Sequence, residues 1–357
     1  MSNLEKEPAE QVCEQPVVER AQPVVERSRD REGISTSSIT ESGSITDDVE
    51  ILEPRDVPLG GPRAMGVRRT LPQRARSLIG AWCFVDHYGP ERVAMVVPPH
   101  PHTGLQTVSW LFAGDIEHRD SVGSHATVRP GQVNLMTAGR GIAHSEVSVS
   151  MRPDGPTQPP AQRPVLHGAQ LWIALPDSAR DTAPAFESHV PQPVELDGAR
   201  LTVFIGSLAG SASPVTVHTE LVGAQLDISP GASVVLSVDA RFEHGILVDA
   251  GDVTVDGIRV PVSHLAYVAP GRDAITLTAG DEAARVLLIG GVPLGERIIM
   301  WWNFIGRTHD EIVGYRDDWM REVIAGGNPH GRFGTVDYDG APLPAPELPG
   351  VRLAPRG

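Results

Sequence analysis

Cysteine and lysine are almost absent from this chain of 357 residues. The two cysteines, Cys13 and Cys83, are too few for a disulfide framework. Lys6 is the single lysine, which leaves no amine beyond the first residues for Schiff-base chemistry and excludes a phosphate-binding Gly-x-x-x-x-Gly-Lys loop. A Gly-x-Ser-x-Gly elbow is also missing, which disfavours a serine hydrolase.

Long apolar runs and an excess of basic residues are lacking too. No stretch approaches the roughly 18–20 consecutive apolar residues of a membrane span. The acidic N-terminus has no apolar signal region, so we expect a cytoplasmic protein that does not bind membranes. The formal net charge of −15 offers no basic field to a phosphate backbone, so nucleic acid is not expected as a direct partner.

The chain divides into a polar tail and a long turn-rich body. Residues 1–48 are acidic and poor in aliphatic residues, and they repeat Gln-Pro-Val-Val-Glu-Arg at 15–20 and 22–27. Such a segment buries too little surface to offset its ordering entropy, so we predict a disordered tail, with a short docking element as the alternative. The 37 glycines and 32 prolines of the chain indicate many turns.

The body is predicted to be all-β. Segments with a period of two recur between Gly, Pro and Asp, most clearly at 106–112, 224–228 and 274–278. Many short strands of this kind are typical of a β-sandwich or β-barrel. We expect two such domains in series, at residues 49–190 and 191–300.

A short helix is predicted near the C-terminus. Thr308 and Glu311 have the spacing of a capping box, and they precede apolar residues at helical intervals. Gly326 and Gly327 should end this helix. The rest of 301–357 is rich in Pro and Gly and is expected to form an irregular extension.

Two short patterns in the first domain have the residue types of a metal site. In an extended chain residues i and i+2 point to the same side, so His100 and His102 face one way, as do His144 and Glu146. If the two segments converge, three imidazoles and one carboxylate suit a divalent transition metal and leave coordination positions open. The residues alone leave open the alternative that these are hydrogen-bonded histidines without a metal.

The other histidines are expected to be structural. The second domain contains His218, His244 and His264 but no pair at this spacing, so it is predicted to lack a metal. His118 and His167 are expected to be buried and hydrogen-bonded, with the orientation of a metal ligand as the alternative for each.

The motifs around these residues resemble the two sequence motifs of the pirin family. The first runs over 99–104 with Thr107 and Val108, and the second over 130–146, with Met-Thr-Ala-Gly-Arg-Gly-Ile before His144 and Glu146. The blocks at 117–121 and 166–172 are also similar to that family. The resemblance extends from about residue 51 to the C-terminal helix.

The resemblance implies a bicupin of two jelly-roll barrels with one mononuclear Fe(II) in the N-terminal barrel. Its ligands would be His100, His102, His144 and Glu146, other divalent metals being the alternative. Members of the family act as quercetin-type flavonol 2,3-dioxygenases, so a small aromatic substrate and O2 are the expected partners and Glu146 the expected proton acceptor. Other members are regulatory, metal-containing proteins that bind a protein partner, and a purely structural metal is a third alternative.

Two positions depart from the family pattern. Thr103 stands where pirins usually have a basic residue, and Gln106 where they often have Glu. Glu146 still completes the ligand set. The two changes are expected to soften the charge near the mouth of the site, which bears on the choice of substrate.

Overall fold

The structure is a computed structural model that describes residues 49–59, 65–149, 163 and 165–357. The predicted tail at 1–48 lies outside the described residues. Two β-sandwiches are followed by one α-helix. The strands are β1 Val49–Leu52, β2 Arg55–Leu59, β3 Met65–Leu71, β4 Trp82–Arg92, β5 Val96–His102, β6 Leu105–Ala113, β7 Ile116–Asp120, β8 His125–Val128, β9 Val133–Thr137, β10 Ile142–Ser148, β11 Val165–Ala174, β12 Ala185–His189, β13 Val194–Leu196, β14 Ala199–Leu208, β15 Ser211–Ala212, β16 Leu221–Ile228, β17 Ser233–Ser237, β18 Glu243–Ala250, β19 Val253–Val255, β20 Ile258–Val260, β21 Leu265–Val268, β22 Ala274–Ala279, β23 Ala284–Gly291, β24 Ile299–Trp301 and β25 Phe304–Gly306.

The all-β prediction is confirmed. The three clearest predicted segments, 106–112, 224–228 and 274–278, lie in β6, β16 and β22. In β22 every second side chain is buried, because one face of the strand packs inside the fold and the other lies nearer solvent. β6 is buried along most of its length, since both of its faces are covered.

The first jelly-roll sandwich packs a seven-stranded sheet on a four-stranded one. The large sheet has the order β12-β9-β6-β11-β4-β3-β2, and the small one has the order β5-β10-β7-β8. Apolar side chains join the two sheets at both ends of the interior. Phe84 and Trp172 meet Ile142 at one end, and Tyr88 meets Ile116 at the other.

The second sandwich repeats this architecture. Its large sheet has the order β1-β21-β18-β23-β16-β14-β13 with β15 paired to β14, and its small sheet has the order β17-β22-β19-β20. β1 pairs antiparallel with β21, so the first described strand belongs to the second sandwich although it precedes the first in sequence. The two large sheets pack together through a shared apolar layer that includes Trp110 and Phe204, stacked at 4.6 Å.

The C-terminal segment packs on the outside of the first sandwich. Its α-helix, α1, spans His309–Trp319, and Glu311 N–H donates to Thr308 Oγ1 in the predicted capping box. A π-helical turn at Met320–Ile324 extends it, and the chain leaves the helix at Gly326, where φ is +68°. Trp319 and Phe304 are buried against Ala143, on the outer face of β10. None of the helices in the described ranges is long and apolar enough to cross a membrane.

Candidate metal centre

Two neighbouring strands bring the three predicted histidine ligands together. β5 and β10 pair antiparallel, with His144 opposite His100 and Ile142 opposite His102. His100, His102 and His144 therefore point to the same side, into the first sandwich. The chain turns directly after His102 at Gly104, where φ is +68° and a Cβ atom would lie 2.4 Å from the carbonyl oxygen of Ile305. Only glycine fits this turn without displacing the neighbouring backbone.

The three imidazoles form one buried cluster. A possible ligand atom from each lies within 4.8 Å of those from the other two, and His144 lies 4.3 Å from His100 and 5.0 Å from His102 between ring centroids. All three side chains are fully buried. Their Nε2 atoms have no hydrogen-bond partner among the described residues. Because buried polar atoms are nearly always paired, three convergent orphan nitrogens point to a cation.

Hydrogen bonds hold His100 in the tautomer that a metal requires. Its Nδ1 lies 2.9 Å from the carbonyl oxygen of Pro98, which can only accept, so Nδ1 carries the proton and Nε2 keeps its lone pair. Burial lowers the pKa of His100, His102 and His144 well below the usual value. The neighbouring imidazoles lower the pKa of His144 further. The three rings are therefore neutral at pH 7, which is the form that binds metals.

Glu146 lies on the same strand and the same face as His144, next to His118. A bulge between His144 and Glu146 shifts the register with β5, so that Glu146 is opposite Val97. Its carboxylate forms a group with His144 and His118, with possible ligand atoms within 4.8 Å of one another. It is buried, with 2% of its surface exposed. The structure thus joins His144 to the other two histidines on one side and to Glu146 on the other.

His118 links His144 to a buried carboxylate. The Asp120 carboxylate can only accept, so His118 Nε2–H donates to its Oδ2 at 3.1 Å. In the neutral tautomer the opposite nitrogen of His118 is an acceptor, and His144 Nδ1–H can donate to it at 3.4 Å. Asp120 is fixed in turn by the backbone N–H groups of Val122 and Ser124. This series of hydrogen bonds leaves His144 Nε2 free to bind a metal. His118 is buried and hydrogen-bonded, as predicted, and its role in orienting a metal ligand stays a prediction.

Replacing His118 by alanine should therefore weaken metal binding without removing a predicted ligand. We expect a loss of about 10–100-fold in affinity, because His144 would no longer be held in one orientation and tautomer. Competition with a chelator measures the dissociation constant. His125→Ala, which removes a half-exposed histidine from the adjacent strand β8, is the control and should bind metal as the unmodified protein does. Equal affinities for His118→Ala and the unmodified protein would contradict this role.

The two positions that depart from the pirin pattern are both buried rather than placed at an exposed mouth. Gln106 donates through Nε2 to Thr137 Oγ1 and to the carbonyl oxygen of Thr216, each at 2.9 Å. It therefore ties the first sandwich to the segment that leads into β16. Thr103 is 1% exposed and its carbonyl accepts from the N–H of Ile305. The expectation that they alter the charge at the mouth is not supported by these positions.

A second group of possible metal ligands lies between the two sandwiches. Both His87 and His167 donate through Nε2–H to Asp249 Oδ1, at 2.7 and 2.6 Å. Arg285 donates to the other carboxylate oxygen at 2.7 Å, and Ser263 Oγ–H donates to His87 Nδ1 at 3.1 Å. His167 contacts Phe112 here rather than a residue of the metal centre, so the alternative role of a ligand-orienting donor is wrong for His167.

The charges of this inter-sandwich group are balanced without a metal. Burial acts to raise the pKa of Asp249, but the hydrogen bonds from His167 and His87 outweigh it and hold the pKa below the usual value. Burial lowers the pKa of His87, so the ring stays neutral at pH 7. The carboxylate is then neutralised by Arg285. A divalent ion would add two charges beside that guanidinium, so we interpret the group as a hydrogen-bonded junction.

Comparison with known proteins identifies the family. Models of the pirin family and of the pirin C-terminal cupin domain match residues 64–173 and 223–324. A Pseudomonas aeruginosa protein provisionally named quercetin 2,3-dioxygenase is 42% identical over 301 residues, covering 83% of this chain and 89% of that protein. A pirin-like protein of Caulobacter vibrioides is 35% identical over 293 residues, covering 79% and 94%. The crystal structure of a quercetin 2,3-dioxygenase from Acinetobacter baumannii matches with a TM-score of 0.75 and 37% identity, covering 86% of this chain and 98% of that one. The chain therefore belongs to the pirin family.

Proposed function

We propose that this pirin is a mononuclear iron dioxygenase that cleaves a flavonol-type aromatic with O2. The observation that carries the proposal is the buried cluster of His100, His102 and His144, whose Nε2 atoms lack partners among the described residues. The two relatives named as quercetin 2,3-dioxygenases support the substrate class, since they match most of this chain at 42% and 37% identity.

The donor set fits one divalent transition metal. His100, His102 and His144 would hold it together with Glu146, and imidazole nitrogens favour iron, nickel, copper or zinc over magnesium or calcium. An iron bound there would supply Lewis acidity and electrons for reaction with O2, so the proposal needs no organic cofactor. The Nε2 lone pairs of His100 and His144 and the three neutral rings are the states that such binding requires.

The remaining steps are assigned to residues of this chain. Glu146 would accept the proton of an acidic substrate hydroxyl, because its carboxylate lies beside His144. Phe84 and Trp172 stack at 4.1 Å and Trp172 contacts His102 at 5.2 Å between ring centroids. The Arg69 guanidinium also lies over the Phe84 ring, at 4.3 Å, so these side chains pack as a buried layer that keeps water from the site.

Oxygen consumption with quercetin tests the proposal directly. The metal content of the full chain is measured as isolated, and oxygen uptake is then followed after loading with Fe(II). We expect many turnovers per iron and none after the metal has been removed by a chelator. Uptake of less than one O2 per iron would contradict the dioxygenase and favour a metal-containing protein that acts by binding a partner.

Replacing Glu146 by glutamine tests its proton-accepting role separately. The amide keeps the size and one oxygen of the carboxylate but does not accept the proton at neutral pH. We expect kcat to fall about 10²–10⁴-fold. The iron content of the same sample is measured alongside. Full activity in an iron-loaded Glu146→Gln protein would rule out the role.

A further inference from the structure

The first sandwich has a polar interior, in contrast to the second. Among the described residues, the buried polar and charged side chains belong to the first sandwich, with four exceptions: His244, Asp249, Ser263 and Asn303. The interior of the second sandwich is built from Val, Leu, Ile and Ala side chains of both sheets. Burying polar groups is unfavourable unless they are paired, so the polar layer indicates a functional interior.

Part of this layer lies on β4 and β11, on the sheet opposite the histidines. Phe84, Asp86 and Tyr88 alternate along β4, and Trp172, Gln170 and Gly168 lie beside them on β11 in the same order. The residues between them, such as Val85 and Leu171, pack in the layer between the two sandwiches. Side chains alternate along a strand, so the first set faces the interior. We call Phe84, Asp86, Tyr88, Gln170 and Trp172 the inner wall.

The inner wall borders the metal centre at two points. Trp172 contacts the ring of His102, as described above. At the other end, Tyr88 belongs to the same buried cluster as Val97, the residue of β5 that lies opposite Glu146. A phenolic hydroxyl carries its proton at neutral pH, so the Tyr88 hydroxyl is a hydrogen-bond donor.

Some polar groups of the inner wall are paired and others are not. Asp86 binds the buried Arg69 through two hydrogen bonds, at 2.7 and 2.8 Å, and Gln170 Oε1 accepts from Ser109 Oγ at 2.9 Å. Tyr88 Oη, Gln170 Nε2 and Trp172 Nε1 are buried with no partner among the described residues. All three of these groups can donate a hydrogen bond, so the wall offers unused donors to an oxygen-bearing molecule.

We propose that Tyr88 and Gln170 determine substrate specificity by donating hydrogen bonds to oxygen atoms of an uncharged aromatic substrate. This inference rests on the proposed dioxygenase function and narrows its substrate class. Asp86 neutralises Arg69, so the wall has no net charge with which to select a carboxylate or a phosphate. Carbonyl and hydroxyl oxygens on a ring system match the unused donors, while a hydrocarbon edge would leave them unpaired.

Two conservative variants test this role, first by the affinity for a probe and then by turnover. Tyr88→Phe removes only the hydroxyl, and Gln170→Met keeps nearly the same length without the amide. Binding of quercetin and of catechol to the full chain as isolated is titrated with oxygen excluded, and kcat and KM for quercetin are then measured in air. We expect each variant to bind quercetin about tenfold more weakly, the worth of one hydrogen bond, and to raise KM more than it lowers kcat.

The control is Tyr267→Phe, which removes a part-buried hydroxyl that donates to Glu243 outside the inner wall and should leave quercetin affinity unchanged. Since Tyr88 Oη has no partner to lose among the described residues, Tyr88→Phe should also melt at or above the temperature of the unmodified protein. A lower melting temperature with unchanged affinity for both probes would overturn the proposal and make the hydroxyl structural.

If the variants weaken quercetin or catechol binding but no oxygen is consumed, the proposed dioxygenase activity is wrong and the specificity role stands. If oxygen is consumed and both variants bind the probes as tightly as the unmodified protein does, the specificity role is wrong and the dioxygenase activity stands. If the unmodified protein binds neither probe, the specificity role is overturned as well.

Discussion

Replacing His144 by alanine is expected to abolish both metal content and oxygen uptake. His144 occupies the centre of the site, because its ring contacts those of His100, His102 and His118 and its strand also holds Glu146. Its loss would remove one predicted imidazole ligand and also the partner of the hydrogen bond with His118. We expect the metal affinity to fall by more than the roughly 10–100-fold expected for His118→Ala, because His144 is itself a predicted ligand. Activity should fall to background.

Elemental analysis of the purified chain and an oxygen electrode measure these two effects. His244→Ala is a matched control, since His244 is equally buried but lies in the second sandwich, outside the groups of possible metal ligands in the described residues. It should keep its metal. Oxygen uptake by an iron-free His144→Ala protein would contradict the proposed chemistry, and full iron content in that variant would contradict the predicted ligand.

Local sequence predicts the direction of each pair of side chains, whereas the proximity of the two pairs depends on long-range strand pairing. Residues i and i+2 of a strand share a face, so the side chains of His100 and His102 were predicted to point the same way, as were those of His144 and Glu146. The pairing of β5 with β10 then brings His100 opposite His144. The same rule places His118 and Asp120 on one face of β7, although no sequence motif distinguishes Asp120. The inclusion of Glu146 in a four-residue set stays a prediction, since its carboxylate is grouped with His118 and His144.

The inner wall could not be predicted from spacing. On β4 the apolar Val85 precedes the charged Asp86, which is the ordinary pattern of a strand with one face in solvent. That pattern is misleading here because the second sandwich covers Val85 and the interior covers Asp86, so both faces are buried. The pairing of β1 with β21 depends on the same long-range packing. Contacts between distant segments decide these features, and local sequence patterns do not predict such contacts.

The junction between the sandwiches provides the second large effect. Replacing Asp249 by alanine should destabilise the fold by about 3–5 kcal/mol, the usual result of breaking a buried charge pair. The reason is that His87, His167 and Arg285 all donate to this one carboxylate, whose side chain is fully buried. Its removal leaves three donors without their acceptor. The midpoint and slope of urea unfolding at pH 7 measure the loss.

Asp252→Ala is the matched control, because Asp252 pairs with Arg259 where both side chains are largely exposed, and such a pair adds little to stability. The pH dependence provides a further check on Asp249. Its pKa is lowered from 3.8 in the folded state, so its contribution is complete above that value and is lost as the pH falls through the folded pKa. The difference in stability between the unmodified protein and Asp249→Asn should therefore shrink in acid. A constant difference from pH 7 to acid unfolding would mean that shape, rather than the charge of Asp249, holds the two sandwiches together.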